Sequence, residues 1–210
     1  DLEAGGIKLI RVRDNGAGIH QQDLTLALSR HATSKISQTE DLEAISTLGF
    51  RGEALASMAS VSRLTLTSNA SEDAASGWRV SVAGQDMQAS VVPAPHPRGT
   101  TVEVKDLFFN TPARRKFMRT EKTELQRIED VLRKLSLSHL QVAIYLNHNG
   151  KLLRHFAPAA DEADVTRRLA AVFGQGFIEN AIYLEQAFPA EQGGIGLQLR
   201  GWVGLPTYSR

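Results

Sequence analysis

The chain has 210 residues and a net charge of +1, with 42% hydrophobic and 22% charged residues, which is typical of a globular protein with one domain and part of another. It has no cysteine, which excludes disulfides, thiolate metal ligands and a cysteine nucleophile and fits a reducing, cytoplasmic environment. Neither an apolar run long enough to cross a membrane nor a signal-peptide pattern occurs, and with so small a net charge any nucleic-acid surface requires local clustering of cations.

The first quarter of the chain predicts a strand followed by helices. Apolar residues on both faces of residues 7–13 indicate a buried central strand. Helical spacing of apolar residues predicts a helix over residues 21–31, and small residues predict a second one over residues 52–59. Residues 32–50 between them are polar, with only a short helical turn expected at residues 41–46. A weakly structured stretch of that length is usually functional or mobile.

The rest of the chain predicts mostly strands, with one long helix. The predicted strands are residues 63–68, 78–83, 87–92, 100–105, 141–147, 151–157, 181–188 and 195–203. Residues 120–139 form the clearest helix, and Thr123 with Gln126 resembles a capping box. Asn149 and Gly150 predict a tight hairpin turn between two strands.

The composition predicts two domains. Residues 1–157 would form the first domain, and residues 158–164 are small, polar and acidic, as in a linker. Residues 165–210 would then begin a second α/β domain, with a first helix that closes at Gly174.

The most informative motif is Asp14-Asn15-Gly16-Ala17-Gly18-Ile19, directly after the first predicted strand. A carboxylate beside two glycines suits a purine pocket, because Asp14 can accept a hydrogen bond from an exocyclic amine and glycines let backbone approach a ligand closely. A Cβ at Gly16 or Gly18 would intrude on a purine base bound in such a pocket, or on the polar, mobile segment expected at residues 32–50. The same residues are also typical of a hairpin turn in which the aspartate caps its own loop.

A second glycine motif, Gly49-Phe50-Arg51-Gly52-Glu53-Ala54-Leu55, opens the helix predicted at residues 52–59. Unpaired amides at a helix start and the helix dipole favour phosphate. These glycines also fit ordinary turn and close-packing positions. Together with residues 30–35 and 99–101, the two motifs predict a nucleotide-binding site, with the base at the first motif and the phosphates at the second.

These motifs resemble the GHKL superfamily of ATPases, and most closely the N-terminal ATPase region of the MutL family of DNA mismatch repair proteins. The motif at residues 14–19 is shared across the superfamily, whereas residues 49–55 and 110–117 are much more specific to MutL. The resemblance covers essentially the whole chain, best between residues 5 and 156. It implies an α/β fold (an α+β sandwich) with a GHKL-type mixed, largely antiparallel sheet covered by helices, followed by the start of a second α/β domain.

The resemblance implies an ATP site in the first domain. Asp14 would bind the adenine amino group, Gly18 and Thr100 would line the same pocket, and residues 31–55 would form the ATP lid. The complete set expected to bind ATP is Asp14, Asn15, Gly16, Gly18, Thr33, Ser34, Lys35, Gly49, Phe50, Arg51, Gly52, Glu53, Ala54, Leu55 and Thr100. Lys35 also fits a solvated surface lysine. Glu53 fits the start of a helix, where negative charge is favoured, better than a general base.

The chain departs from the GHKL pattern in one respect. GHKL ATPases carry an N-terminal helix with a Glu that activates water and an Asn that ligates Mg²⁺, and no such helix precedes Asp14. We therefore expect a fragment that has no catalytic and no metal-ligating residue of its own. The intact parent would be an ATPase that uses ATP and Mg²⁺, with a lysine for the γ-phosphate beyond Arg210, and the fragment alone would be inactive.

A basic segment follows the strand predicted at residues 100–105. Its cations are Arg114, Arg115, Lys116, Arg119 and Lys122. A solvated loop explains such a run, and so does a surface that contacts DNA phosphates without sequence readout. Packing explains Phe108, Phe109 and Phe117 better than base stacking does, and Arg133, Lys134, Arg167 and Arg168 would extend the surface. The histidines show no metal-ligand spacing and are interpreted as structural or exposed.

The resemblance implies an ATP-driven switch in DNA mismatch repair, in which ATP binding orders the lid and produces a homodimer. Implied partners are DNA, bound non-specifically through its phosphates, a MutS-like mismatch-recognition protein, and a downstream nicking endonuclease and helicase. No membrane partner is expected, and the location would be cytoplasmic and nucleoid-associated. The alternatives are a gyrase-like GHKL ATPase, which residues 49–55 and 110–117 disfavour, and a DNA-binding scaffold with a vestigial nucleotide pocket.

Overall fold

The computed structural model describes residues 1–29, 52–83, 89–189 and 196–208. The chain divides into two compact units. Unit 1 comprises Asp1–Arg127 and Leu146–Leu153, and unit 2 comprises Ile128–Tyr145 and Arg154–Arg210. The division into domains at residues 158–164 stays a prediction.

An eight-stranded sheet contains most of the strands of the described residues. Its strands are β1 (Leu2–Glu3), β2 (Leu9–Asp14), β3 (Arg63–Asn69), β4 (Trp78–Ala83), β5 (Ser90–Pro93), β6 (Gly99–Lys105), β7 (Ile144–His148) and β8 (Lys151–Phe156). The order across the sheet is β5-β4-β3-β6-β2-β1-β7-β8. The β1–β7 pair is parallel, and the pairs β1–β2, β2–β6, β3–β6, β3–β4 and β4–β5 are antiparallel. The predicted mixed, largely antiparallel sheet is confirmed.

Six α-helices lie in the described residues. They are α1 (Gln21–Ala27), α2 (Ala54–Ser60), α3 (Pro112–Arg115), α4 (Glu121–Ser138), α5 (Glu162–Phe173) and α6 (Gln175–Glu179). Within this part of the chain, none is both long and apolar enough to span a membrane.

Helices α1 and α2 cover one face of the sheet and bury the core of unit 1. The buried core residues are Leu24, Leu28, Ala59, Leu64, Leu66, Val80, Val82 and Val104. Successive strand residues point to opposite faces, so the intervening residues of β3 and β4 lie on the other side. That side is polar: Thr65 lies opposite Ser81 on β4 and opposite Glu103 on β6. The helix-covered face is therefore fixed by the apolar alternation of the strands.

Most predicted elements are confirmed, and their boundaries move by a few residues. The strand predicted at residues 7–13 begins later, at Leu9, and Val12 on it is 62% exposed, so the prediction of burial on both faces is wrong there. The strand predicted at residues 87–92 is observed as Ser90–Pro93. The hairpin is confirmed, because Asn149 and Gly150 have φ of 49° and 77°, as a type I′ turn requires.

The predicted capping box of α4 is wrong in position. The helix begins at Glu121, so Thr123 already lies in its first turn. Thr120 is the capping residue instead, since its Oγ1 accepts a hydrogen bond from the backbone N–H of Thr123 at 3.3 Å. Glu124 completes the cap by accepting from the N–H of Arg119 at 2.8 Å. By sequence, both Thr120 and Thr123 are possible capping residues. The structure identifies Thr120 as the cap, because the helix begins directly after it.

Unit 2 contains α5 and α6 and a two-stranded antiparallel sheet of β9 (Ala181–Phe188) and β10 (Leu197–Gly204). Helix α5 starts three residues before the predicted Val165, because the Asp161 carboxylate caps it by accepting from the N–H of Asp164 at 2.8 Å. It ends at Phe173, before Gly174 with φ of 92°, as predicted.

Arg168 on α5 anchors several backbone segments of unit 2. Its side chain is buried, with the residue 3% exposed, and burial lowers the pKa of its guanidinium from the ordinary value. The guanidinium donates to backbone carbonyls of Ser136, His139, Val142, Phe156 and Ala157. Ser136 lies in the last turn of α4 and Phe156 ends β8, so the guanidinium joins the ends of two elements to the chain beside them. The expectation that Arg168 extends a DNA-binding surface is therefore wrong, because the group points inward.

Candidate functional site

The candidate site lies where three neighbouring strands of unit 1 end. Asp14 is the last residue of β2 and lies opposite Thr100 on β6, which in turn lies opposite Ser68 on β3. Ser68 and Thr100 each lie an even number of residues from a core residue of their strands, Leu66 and Val104, and Asp14 lies opposite Thr100, so all three belong to the helix-covered face. The sheet register thus brings together two predicted ATP-binding residues, Asp14 and Thr100, and adds Ser68.

The Asp14 carboxylate is held by one of its two oxygens. Oδ1 accepts hydrogen bonds from the N–H of Gly16 at 2.9 Å and from the N–H of Thr100 at 3.2 Å. Within the described part of the chain, Oδ2 has no hydrogen-bond partner, and the residue is exposed. The turn role and the ligand role therefore use different oxygens. The loop orients the carboxylate through Oδ1 and leaves Oδ2 as an acceptor without a partner among the described residues.

Ser68 connects the loop after β2 to the end of β6. It is 1% exposed, and its Oγ accepts from the N–H of Ile19 at 2.8 Å and donates to the carbonyl of Gly99 at 2.9 Å. The hydroxyl of Thr100 lies 2.9 Å from the same Oγ. Sequence reasoning missed this residue. The sequence feature that could have identified it is the alternation of the strand. Leu64 and Leu66 point to the core, so the next residue with the same orientation is the polar Ser68.

Two glycines of the site are required by the protein's own backbone. Gly18 has φ of +77°, and a Cβ there would lie 2.0 Å from the carbonyl oxygen of Asn69. Gly99 has φ of +125°, and its Cβ would lie 2.2 Å from the carbonyl oxygen of Asp14. The structure thus gives Gly18 a reason within the protein itself, a backbone-to-backbone contact, and the predicted room for a base or for a mobile segment stays a prediction. A Cβ at Gly16 would lie 3.0 Å from Asp14 Oδ1, so this position is only tight.

The described part of the second glycine motif begins α2. Gly52 has φ of +65°, and Glu53 directly precedes the helix, with its carbonyl accepting from the N–H of Ser57 at 2.9 Å. Ala54 starts α2, and Leu55 packs against the core under the same face of the sheet. The predicted residues Thr33, Ser34, Lys35, Gly49, Phe50 and Arg51 lie outside the described residues, as does the helical turn expected at residues 41–46.

The cations of the basic segment lie on the surface. Arg114 and Arg115 belong to α3, Lys116 follows it, and Arg119 precedes α4, whose first turn contains Lys122. All five residues are exposed, and none forms an ion pair with a carboxylate of the described residues. Such a cluster presents unneutralised positive charge to solvent.

The three phenylalanines near the basic segment differ in their surroundings. Phe108 is partly buried, and the guanidinium of Arg63 lies 4.5 Å from the centre of the Phe109 ring. Phe117 is 83% exposed, so the expectation that packing explains it is wrong.

The described residues contain no cluster of three or more histidine or acidic side chains that could hold a metal ion. The histidines that make internal contacts are used structurally. His96 has its Nε2 2.7 Å from Thr101 Oγ1, and His148 has its Nε2 3.0 Å from a carboxylate oxygen of Glu121.

The fold and the site define a class of protein. Residues 3–106 match the family described as histidine kinase-, DNA gyrase B-, and HSP90-like ATPase. The structure is similar to that of the Aquifex aeolicus MutL ATPase domain complexed with ADP, with a TM-score of 0.62 and 27% identity over 92% of this chain and 68% of that one. It also has the fold of the N-terminal domain of a DNA repair protein, with a TM-score of 0.72 and 21% identity over 96% of this chain and 60% of that one.

The sequence comparisons identify the family within this class. DNA mismatch repair protein MutL of Cellvibrio japonicus and of Pseudomonas aeruginosa are each 57% identical over all 210 residues, and MutL of Chromohalobacter salexigens is 53% identical. The chain belongs to the MutL family and corresponds to its GHKL-type ATPase region. It spans about a third of the length of these relatives, 32% in each case.

Replacing Gly18 by Ala tests whether the close approach to Asn69 shapes the site. We expect Gly18→Ala to lower the free energy of unfolding by more than Gly150→Ala, although both glycines have φ of +77°. Strain at this φ costs roughly 1–2 kcal/mol for each variant. Only Gly18 adds a steric clash, of about 1–3 kcal/mol, because a Cβ at Gly150 has nothing within 4 Å. Denaturant unfolding measures both, and equal losses would contradict the packing assigned to Gly18.

Proposed function

We propose that the chain is the ATP-binding and ATPase switch region of a MutL-type DNA mismatch repair protein. The observation that carries the proposal is the pairing of an oriented Asp14 carboxylate with the Ser68–Thr100 hydrogen bonds, in a chain 57% identical to MutL proteins. Because those relatives are about three times longer, function belongs to the full-length protein, expressed from the complete reading frame that contains this chain.

The site fits an adenine nucleotide. Oδ2 of Asp14 accepts a hydrogen bond from the exocyclic amine, while Oδ1 remains bonded to the backbone and keeps the carboxylate oriented. The hydroxyl of Thr100, held by Ser68, lies beside the carboxylate at the same end of the sheet. Residues 49–55 supply backbone amides to the phosphates, Gly52 at the left-handed position included. The structurally similar Aquifex aeolicus MutL ATPase domain is complexed with ADP, which supports an adenine nucleotide as the ligand.

ATP hydrolysis requires a base that activates water and a ligand for Mg²⁺ as well as a nucleotide pocket. The resemblance assigns the base to a glutamate and the Mg²⁺ ligand to an asparagine outside this chain. On that assignment we expect the full-length protein to hydrolyse ATP with Mg²⁺, which neutralises charge on the phosphates, and the 210-residue chain alone to be inactive.

Nucleotide acts as a switch by differential affinity for two conformations. ATP favours a state in which the lid at residues 31–55 is closed and two copies associate, and hydrolysis resets that state. The dimer engages a MutS-like mismatch-recognition protein, a downstream nicking endonuclease and a helicase. The protein works in the cytoplasm in association with the nucleoid, where its DNA substrate lies.

DNA contact is assigned to the basic segment. Its five cations are exposed and have no carboxylate partner among the described residues, so phosphate binding neutralises them without breaking existing ion pairs. Contacts of this kind bind the backbone without sequence readout.

Asp14→Asn in the full-length protein tests the nucleotide site. The amide oxygen preserves the bonds to Gly16 and Thr100, but the NH₂ group that replaces Oδ2 is a donor and opposes the adenine amine. We expect ATP affinity to fall by roughly five- to a hundredfold, since a donor that the bound base covers and leaves unpaired costs about 1–3 kcal/mol. Equilibrium titration measures the affinity.

Asp73→Asn is the matched control, because Asp73 is also an exposed aspartate that accepts from a nearby backbone N–H. It should leave ATP affinity unchanged. Wild-type affinity in Asp14→Asn would disprove the pocket assignment. DNA binding without any ATP binding by the wild-type protein would favour the scaffold with a vestigial pocket.

Charge reversal of Arg114, Arg115 and Lys116 to Glu tests the basic segment. We expect weaker DNA binding, equal across sequences, and a salt dependence shallower by about 2–3 in the log–log slope for duplex DNA. Filter binding or anisotropy at several salt concentrations measures both. Reversing Lys8, Arg98 and Lys151, three exposed cations elsewhere in unit 1, gives the same change in net charge. If both triple variants behave alike, or the slope is unchanged with normal folding, the DNA surface lies elsewhere.

A further inference from the structure

Phe117 is the most exposed large apolar side chain of the described residues, at 83% exposure. A single exposed apolar residue is ordinary on a protein surface, but a phenylalanine ring exposes far more apolar area than most. The nearby Phe109 differs from Phe117, because the guanidinium of Arg63 covers its ring. Among the three phenylalanines there, Phe117 alone lies open to solvent.

The backbone presents Phe117 on an ordered turn. Its own N–H donates to the carbonyl of Arg114 at 3.0 Å, and the N–H of Met118 donates to the carbonyl of Arg115 at 3.2 Å. The turn follows α3 directly, and two residues after Phe117 the chain is tied to α4 by the bond between Arg119 and Glu124. An aromatic ring on a fixed turn loses little conformational entropy when a ligand covers it.

The charge around Phe117 restricts what can cover it. Lys116 precedes it, and Arg114, Arg115 and Arg119 lie within three residues of it, all exposed and without a carboxylate partner among the described residues. An apolar protein surface that covered the ring would desolvate these cations without compensation. A nucleic acid supplies a flat apolar ring and anionic groups together, as in proteins that bind single strands.

We propose that Phe117 stacks on an unpaired base of single-stranded DNA whose phosphates contact the neighbouring cations. This inference rests on the proposed DNA binding by the basic segment and adds a base contact to it. Bases in a duplex are already stacked on each other, so the ring reaches one only where the strand is unpaired. Every base has a π face, so the contact favours single strands without favouring a sequence.

The experiment compares two oligonucleotides of equal length and charge, a 20-nucleotide dT strand and the same strand with every base removed. The full-length protein should bind dT about fivefold or more tightly than the abasic strand. Phe117→Ala should remove that preference while leaving affinity for the abasic strand and the salt slope unchanged. Phe117→Trp should retain the preference, and its added tryptophan fluorescence should be quenched by dT and not by the abasic strand.

Val131→Ala is the control, because Val131 is also an exposed apolar residue, at 55%, and has no aromatic ring. It should bind both strands as wild type does. Equal binding of both strands by the wild-type protein, or an unchanged preference in Phe117→Ala, overturns the stacking proposal and leaves phosphate binding intact. No binding of either strand at low salt overturns DNA binding by the basic segment as well.

Discussion

The candidate site depends on the hydroxyl of one buried serine. Ser68 Oγ accepts from the N–H of Ile19, donates to the carbonyl of Gly99 and contacts the hydroxyl of Thr100, so it joins the loop after β2 to β3 and β6. A buried polar group is stabilising only when its partners are all present. The loop that carries Gly18 is therefore fixed against the sheet, and the orientation of Asp14 follows from that loop.

The same network explains how one motif serves two purposes. The motif at residues 14–19 is a turn, since Asp14 Oδ1 accepts from the N–H of Gly16, and in the proposed nucleotide site its Oδ2 is the acceptor for the base. Turn formation pre-organises the second oxygen, which lowers the entropy lost on binding. The basic segment is similarly pre-organised, because turn and capping bonds fix the backbone between α3 and α4.

The sequence predicts local patterns well and long-range contacts poorly. Alternation gave β4 with its observed bounds, and Asn149 with Gly150 gave the hairpin, because each pattern is decided by neighbouring residues. β1 has only two residues, too few for any periodic pattern to mark it. Ser68 and Arg168 were missed or misassigned for a different reason. Their partners lie 11 to 49 residues away in sequence, and only the folded chain brings them together.

The central claim is that Asp14 reads the amino group of adenine. Isothermal titration of the full-length protein with ATP and with inosine triphosphate tests it most directly, because the two nucleotides share their phosphates and sugar and differ at the purine 6-position. A carboxylate acceptor pairs with the 6-amino group and opposes the 6-oxo group. We predict that ATP binds at least about fivefold more tightly than inosine triphosphate, since a mispaired polar contact costs about 1–3 kcal/mol. Equal affinities, or no binding of either nucleotide, would contradict the assignment.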